Sequence, residues 1–406
     1  VDLQLRFLTP HEVDPYLRAT VVAFGARETD EGLVEDRKEI IPDRTLAAMD
    51  GDAFVGGAAA YPMRMSVPGA DVPMTGIVSL WTAPTHRRRG VATTLMRRQL
   101  DDLHERGEAV TTLWATEGAI YGRFGYGIGA FSCGISIERA RNAFAAPVPE
   151  HGTIRLVERE EFLRVYPPLY ERARAARPGM VSRDDVWIAH RFHEHEGSRE
   201  TSRTPFFAVI DGAEGPEGYA AYHVKADWEA VLPSHKVRVD ELIGITPEAT
   251  ESLWRFCLDL DLVALVEADN RPIDDPLFHL LAEPRALQLT VRDGMWVRLV
   301  DVPAALAARR YASEGRVVLE VHDDFCSWNE GRFALEGRPD GAECVPTDGK
   351  PDLALGVADL AAVYLGAIRL EALATAGRIR ELRDGALEKA GAMFAAAPAP
   401  WSAHIF

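Results

Sequence analysis

The chain has 406 residues, 47% apolar and 26% charged, with a formal net charge of −17. That length exceeds one ordinary core and calls for two or three domains of globular composition. The acidic balance excludes nucleic acid as a partner, since binding it takes a basic face, and it suits polycationic substrates such as amines. No apolar run reaches membrane-span length, and no charged-then-apolar leader opens the sequence, so the expected location is the cytoplasm. Four scattered cysteines without a Cys-x-x-Cys pair fit free thiols in a reducing compartment rather than zinc or a disulfide framework.

The first region is 1–150. Residues 28–39 are acidic, with Asp30, Glu31, Glu35 and Asp36, and read as a loop over a site or a solvated helix face. A strand is predicted at 53–61, with 63–67 pairing with it or continuing it across Pro62. The segment Val78-Ser79-Leu80-Trp81-Thr82 reads as a strand that ends in a turn holding Pro84, His86 and three arginines, Arg87 to Arg89. Gly90 then opens a helix with apolar residues at Val91, Ala92, Leu95, Met96, Leu100 and Leu103, one face of a 3.6-residue period. The first turn of such a helix offers free N–H groups and the positive end of the helix dipole. Glycine there lets a ligand approach the backbone, and arginines add charge, so the arrangement is a pyrophosphate cradle. A further strand at 110–115 leads into Thr116-Glu117-Gly118-Ala119-Ile120-Tyr121-Gly122-Arg123-Phe124-Gly125-Tyr126-Gly127. Residues 143–152, with Pro147 and Pro149, read as a linker.

The second region, 151–298, begins with a strand at 153–157 and a helical segment predicted to break at Pro167-Pro168. Strands follow at 206–210, 218–224 and 236–243. The helix at 247–260 is well signalled, with Thr246 to cap it and Pro247 in its first turn. Strands at 262–266 and 287–291 close the region. His190, His193 and His195, beside Glu194 and Glu196, lack metal-site spacing and read as a solvated segment; no metal is expected. The third region, 299–406, opens with a helix at Val302. Strands at 316–321, 331–335, 342–345 and 353–356 precede helices at 357–365, 371–376 and 384–394, an α+β order.

The spacing Arg87-x-x-Gly90-x-Ala92, between a strand and a helix, resembles the acyl-coenzyme-A motif of the GNAT acetyltransferases. The stretch from Ile120 to Gly127 resembles the GNAT segment in which a tyrosine precedes a Gly-aromatic pair. Together with Tyr364-Leu365-Gly366-Ala367 and a terminal Phe406, these strings resemble the Eis (enhanced intracellular survival) acetyltransferases of actinobacteria over essentially the whole chain. The resemblance implies two GNAT-like mixed-sheet domains, the second degenerate and without coenzyme A, followed by a sterol-carrier-protein-like α+β domain. It also implies a homohexamer and an acetyl-coenzyme-A-dependent transfer to amines of aminoglycosides, polyamines or lysines.

On this resemblance Leu80, Trp81 and Thr82 supply backbone groups to the thioester and pantetheine. Arg88, Arg89, Gly90, Val91, Ala92 and Thr93 hold the pyrophosphate, and Thr116 and Glu117 line the opposite side. Tyr121 protonates the departing thiolate, a task suited to a phenol. The carboxylate of Phe406 is the base, in a tail stiffened by Pro398 and Pro400, with His404 as its rival. Two other readings compete. One is transfer of a longer acyl chain, gauged by the space near Trp81 and Met65. The other is a lipid-binding scaffold with a dead acetyltransferase domain, against which Arg88, Gly90 and Tyr121 stand intact.

Overall fold

The computed structural model describes residues 3–26, 30–148, 151–192, 204–229 and 232–406. In chain order its first part runs β1 (Gln4–Phe7), α1 (Val13–Ala23), α2 (Asp30–Glu39), β2 (Thr45–Asp50), β3 (Ala53–Val67), β4 (Ala70–Thr82), α3 (Val91–Glu105), β5 (Val110–Trp114), α4 (Gly118–Tyr121) and β6 (Gly127–Ile128). The second part runs β7 (Phe131–Glu138), β8 (Thr153–Val157), α5 (Arg159–Ala176), α6 (Asp185–Arg191), β9 (Phe206–Gly212), β10 (Gly215–Lys225), a hairpin of β11 (Trp228–Glu229) and β12 (Leu232–Pro233), β13 (His235–Gly244), α7 (Pro247–Asp259), β14 (Val263–Arg271), α8 (Leu277–Leu280), β15 (Gln288–Asp293) and β16 (Met295–Leu299).

The first sheet has the order β1-β2-β3-β4-β5-β16-β6, and the second β15-β7-β14-β13-β10-β9-β8. The two units therefore exchange strands. Residues 131–138 leave the first unit for the second sheet, and residues 295–299 return to the first sheet, where they pair with β5 and β6. Sheet membership thus departs from a division at 150 and 298. Pairing across more than 150 residues carries no local sequence signal, because a strand's own pattern says only which face is buried.

Pro62, Pro167 and Pro168 lie inside regular elements. Pro62 sits inside a continuous β3, beyond the last β2 pair, Thr45 with Ala59, so its missing N–H costs no ladder bond to β2. Past that point residues 179–182 take over the edge: Ser66 N–H donates to the Met180 carbonyl at 2.9 Å, and Ser182 N–H to the Arg64 carbonyl at 2.8 Å. Pro167 and Pro168 were expected to break a helix, yet α5 runs through both. A helix-interior proline costs about 3 kcal/mol. Here Phe162, Tyr166, Leu169 and Tyr170 form a buried stripe along α5, and that packing holds the helix together.

The third region folds as a sheet of order β19-β18-β17-β20-β21, with β17 (Gly315–His322), β18 (Gly331–Arg338), β19 (Gly341–Pro346), β20 (Leu353–Gly356) and β21 (Ile379–Glu381). Four helices cover it: α9 (Val302–Ala307), α10 (Val357–Tyr364), α11 (Leu370–Thr375) and α12 (Ala386–Phe394). Leu319, Leu335, Leu360, Tyr364 and Met393 are fully buried, in one core with Met65, Met295, Val297 and Leu299 of the first sheet. No helix among the described residues is long and apolar enough to cross a membrane. All four cysteines are buried free thiols.

Candidate active site

The site begins with a parting of strands. β4 and β5 pair in parallel only at Thr75 with Thr111 and Gly76 with Thr112. Beyond Gly76, β4 pairs with β3 alone, and that ladder slips: Ala59 faces Val78, while Gly57 faces Trp81. Ser79 and Leu80 form a bulge, with Ser79 at φ 51°, a left-handed conformation that an L-residue adopts only where its surroundings hold it there. Bulges of this kind re-aim backbone groups, here at the place where the sheet opens.

The opening is a cleft of about 810 Å³. Leu80, Trp81 and Thr82 line one side, Thr116, Glu117, Ile120, Tyr121 and Arg123 the other, and Arg88, Gly90, Val91, Ala92 and Thr93 its floor. Gly90 is the left-handed N-cap of α3, at φ 85°, and no side chain caps the helix. A Cβ added at Gly90 would meet nothing within 4 Å, so the space before the helix N-terminus is open. Arg88 is exposed and also left-handed, at φ 62°. Arg87 lines the cleft as well, donating to the carbonyl of Ala23, another lining residue, at 3.1 Å. Arg89 is exposed on the same turn but does not line the cleft, because consecutive side chains leave a turn in different directions. Trp81 contributes backbone only: its buried indole packs on Tyr16, with ring centroids 5.8 Å apart.

Tyr121 ends α4 with its side chain buried. Burial raises its phenol above the ordinary tyrosine range, opposed by a hydrogen bond with Thr116. Tyr126 packs edge-on to Tyr121 at 6.1 Å and is 1% exposed, a packing residue.

A second cavity, of about 390 Å³, lies against the other side of the bulge. Val78, Ser79 and Tyr61 line it, together with Asp36 and Glu39 of α2, Trp187 and Arg191 of α6, Arg183, and the tail residues His404, Ile405 and Phe406. The acidic stretch is therefore a helix wall of this cavity; residues 28 and 29 lie outside the described residues. Phe406 rests on β4, where a Cβ at Gly76 would come within 2.7 Å of its ring. His404 is 3% exposed and accepts a hydrogen bond at Nδ1 from Arg183 Nε at 2.8 Å. Burial first, then Arg183 and Arg191, lower its pKa well below the ordinary histidine range. Its one lone pair is thus already engaged, and its remaining nitrogen carries the hydrogen, so His404 as placed is no base.

The chain matches the acetyltransferase (GNAT) domain family over residues 4–129, a second such family over 179–299, and the sterol carrier protein domain over 302–403. It is 45% identical to an N-acetyltransferase of Streptomyces avermitilis over 368 residues, 90% of each chain. It is 37% identical to the N-acetyltransferase Eis of Mycobacterium tuberculosis over 363 residues, 85% of this chain and 84% of that one. The crystal structure of Eis1 from Mycobacterium abscessus superposes with a TM-score of 0.86 at 33% identity, covering all of both chains. The chain belongs to the Eis family of GNAT N-acetyltransferases.

In the second unit of this acetyltransferase the corresponding helix N-terminus is capped by its own residues. The Thr246 hydroxyl accepts from the Ala249 N–H at 3.1 Å, Pro247 has no N–H to offer, and Glu248 puts a negative charge in the first turn of α7. Two expectations need correction. Met65 cannot gauge acyl length, since it is fully buried in the core and lines neither cavity. Arg89 does not line the cleft. The histidine cluster lies outside the described residues, which leave out 193–200 and the His190 side chain. Among the described residues no group of three or more histidine, cysteine or acidic side chains could hold a metal. Sequence reading missed Gly76, Tyr61, Trp187 and Arg183. Each occupies its place through pairing or packing with a distant segment, and none belongs to a spaced motif.

Proposed function

We propose that this enzyme moves an acetyl group from acetyl-coenzyme A to a primary amine of a small polycationic acceptor, aminoglycosides foremost, by direct attack in a ternary complex. The observation that carries this reading is the bulge: Leu80 lines the cleft and its neighbour Ser79 lines the second cavity, so the two compartments meet at one peptide of β4.

Acetyl-coenzyme A brings the acetyl group as a thioester. The open space at Gly90, the uncapped N–H groups of Val91, Ala92 and Thr93, and the Arg88 charge suit its pyrophosphate. The edge of β4 from Leu80 to Thr82 suits the pantetheine amides, with one N–H serving the thioester oxygen. The Tyr121 hydroxyl, kept protonated by burial, gives its proton to the departing sulfur. The Phe406 carboxylate orients the attacking amine and takes its proton through water, while Asp36 and Glu39 attract the acceptor's other ammonium groups. The buried free thiols suit a cytoplasmic location, and the family likeness supports a homohexamer, which light scattering at working concentration tests.

The test is at the chain end. Residues added after Phe406 turn its carboxylate into a neutral amide. Deleting Phe406 displaces the carboxylate by up to about 3.3–3.6 Å. Both variants should lose turnover yet keep the thermal shift that acetyl-coenzyme A produces by binding the native state. Parental turnover in the extended protein would overturn the role of the carboxylate.

A further inference from the structure

The second unit repeats the parted strands of the first. β13 pairs in parallel with β14 only from His235 to Arg238. Its other ladder slips, with Tyr222 facing Val239 and Ala221 facing Glu241, so Asp240 bulges as Ser79 and Leu80 do in β4. Beyond the last parallel pair lies the C-terminal tail. Asn270 on β14 donates to the Ser402 carbonyl at 3.0 Å and accepts from the Trp401 indole at 3.1 Å. Glu241 on β13 reaches the tail through Arg183. The Arg183 guanidinium donates to the Ala403 carbonyl and to His404 Nδ1, both at 2.8 Å. It also grips Glu241 at 2.8 and 3.1 Å and donates to the Tyr166 hydroxyl at 2.5 Å.

Arg183 and Glu241 are fully enclosed, their side chains 0% and 1% exposed. A buried ion pair of this kind is weak evidence for stability, since apolar replacements of similar size are often as stable. What the pair does supply is a fixed geometry: a planar fork whose N–H groups are all engaged by named acceptors. Arg183 is itself fixed, because the preceding residues 179–182 hydrogen-bond along the edge of β3 in the catalytic unit. One side chain therefore ties the first sheet, the second unit and the tail together. Only two residues separate its anchor at His404 from the chain end.

We infer that the second unit's parted strands serve as a socket for the protein's own tail, and that Arg183 is a positioning residue that sets where the Phe406 carboxylate stands. The inference rests on the proposed role of Phe406.

The test is the neutral double variant Arg183→Met/Glu241→Gln, which leaves no lone buried charge, with Asn270→Ala as a second, uncharged perturbation. Timed digestion with carboxypeptidase A, read as free phenylalanine, reports the tail without reference to activity. The double variant should release Phe406 at least about ten-fold faster than the parent. Its kcat should fall about 10- to 100-fold, since a misplacement of 1 Å costs on that order, with KM for acetyl-coenzyme A unchanged. Asn270→Ala should move both readouts in the same direction by less, and Arg183→Lys, a charge without the fork, should restore only part of kcat. Digestion at the parental rate overturns the socket. Faster digestion with parental kcat, while deletion of Phe406 abolishes turnover, overturns the positioning role alone. Full turnover after deletion of Phe406 overturns the reading of its carboxylate, and the digestion result then decides the socket by itself.

Discussion

Gly76→Ala isolates the position of the Phe406 side chain from its chemistry. Gly76 lies on β4 opposite Tyr61, in a backbone conformation open to alanine, and its missing Cβ makes room for the Phe406 ring. A Cβ there would stand 2.7 Å from ring Cε2 and 3.1 Å from both Cδ2 and Cζ. Ordinary contact needs 3.4–4 Å. The ring must therefore retreat by about 0.7–1.3 Å, as the packing of carbon against carbon requires. β4 is held by pairing on both sides at this point, whereas Phe406 belongs to no helix or strand and is only partly buried, so the movement falls on Phe406. Overpacking inside a closed core costs about 1–3 kcal/mol. At a partly exposed residue the cost should sit at or below the low end of that range, leaving the fold intact. A shift of 1 Å in a positioning group costs about 10²-fold in rate, so kcat should fall by about two orders of magnitude. The cleft walls at Leu80 to Thr82 begin four residues on, so KM for acetyl-coenzyme A should hold. Steady-state release of free thiol measures both constants. Parental kcat in a folded Gly76→Ala protein would refute the requirement for an exact Phe406 position.

Tyr121→Phe should lower kcat about 10²–10⁴-fold at unchanged acetyl-coenzyme A affinity, because the phenol acts only as the thiolate leaves; calorimetric titration and single-turnover rates check it. Burial holds the phenol above its ordinary range, so the parental rate should show no alkaline fall from Tyr121 below about pH 10. Gly90→Val should weaken acetyl-coenzyme A binding, since a branched side chain would occupy the open space before α3 and strain a backbone at φ 85°; equal affinity would mean that the cradle lies elsewhere. His404 holds its proton less readily folded than unfolded, so as pH falls through about 6.5 the unfolded chain is protonated first. Its contribution to stability is therefore full above that pH and declines below it, by up to about 1.4 kcal/mol per pH unit. His404→Phe should remove that slope in melts taken from pH 7.5 to 5.5.

The parts legible in the sequence are the local ones. The strand to Thr82, the arginine turn, Gly90 and the helix from Val91 follow one another within thirty residues, and their side chains carry the pattern themselves. Thr246 was readable as a cap for the same reason. The acidic stretch reads as a loop over a site or a solvated helix face; that it is a helix walling a cavity depends on where α2 lies against β4. The bulge at Ser79 left no mark, because it arises from a ladder in which Ala59 and Gly57 fix the slip from the neighbouring strand. Arg183 was invisible for a stronger reason: its partners Glu241, Ala403 and His404 lie 58, 220 and 221 residues away.

The long-range contacts explain why three units make one site. The turn that carries Tyr121 is braced from behind by Arg298 on β16, the strand that returns from the second unit. A Cβ at Gly125 would come within 2.6 Å of the Arg298 guanidinium carbon. Arg298 is fully buried and paired at 2.5 Å with Asp323, which belongs to the third region, and Phe124 packs on Phe325 of the same loop at 5.0 Å. The proposed acid thus stands on the first unit but is held by the third. The proposed base belongs to the third unit but is held by the second. Residues 1–150 alone would lack β16, leaving β5 and β6 without the strand that joins them, and would lack both the brace behind Tyr121 and the tail. Cutting after Leu299 would keep β16 but strip away both Asp323, the partner of Arg298, and the core that Leu319, Leu335 and Leu360 share with β16. The strand exchange, the buried Arg298–Asp323 pair and the Arg183–Glu241 pair therefore work in one direction. They make the position of each reacting group a property of the whole chain, the second unit included.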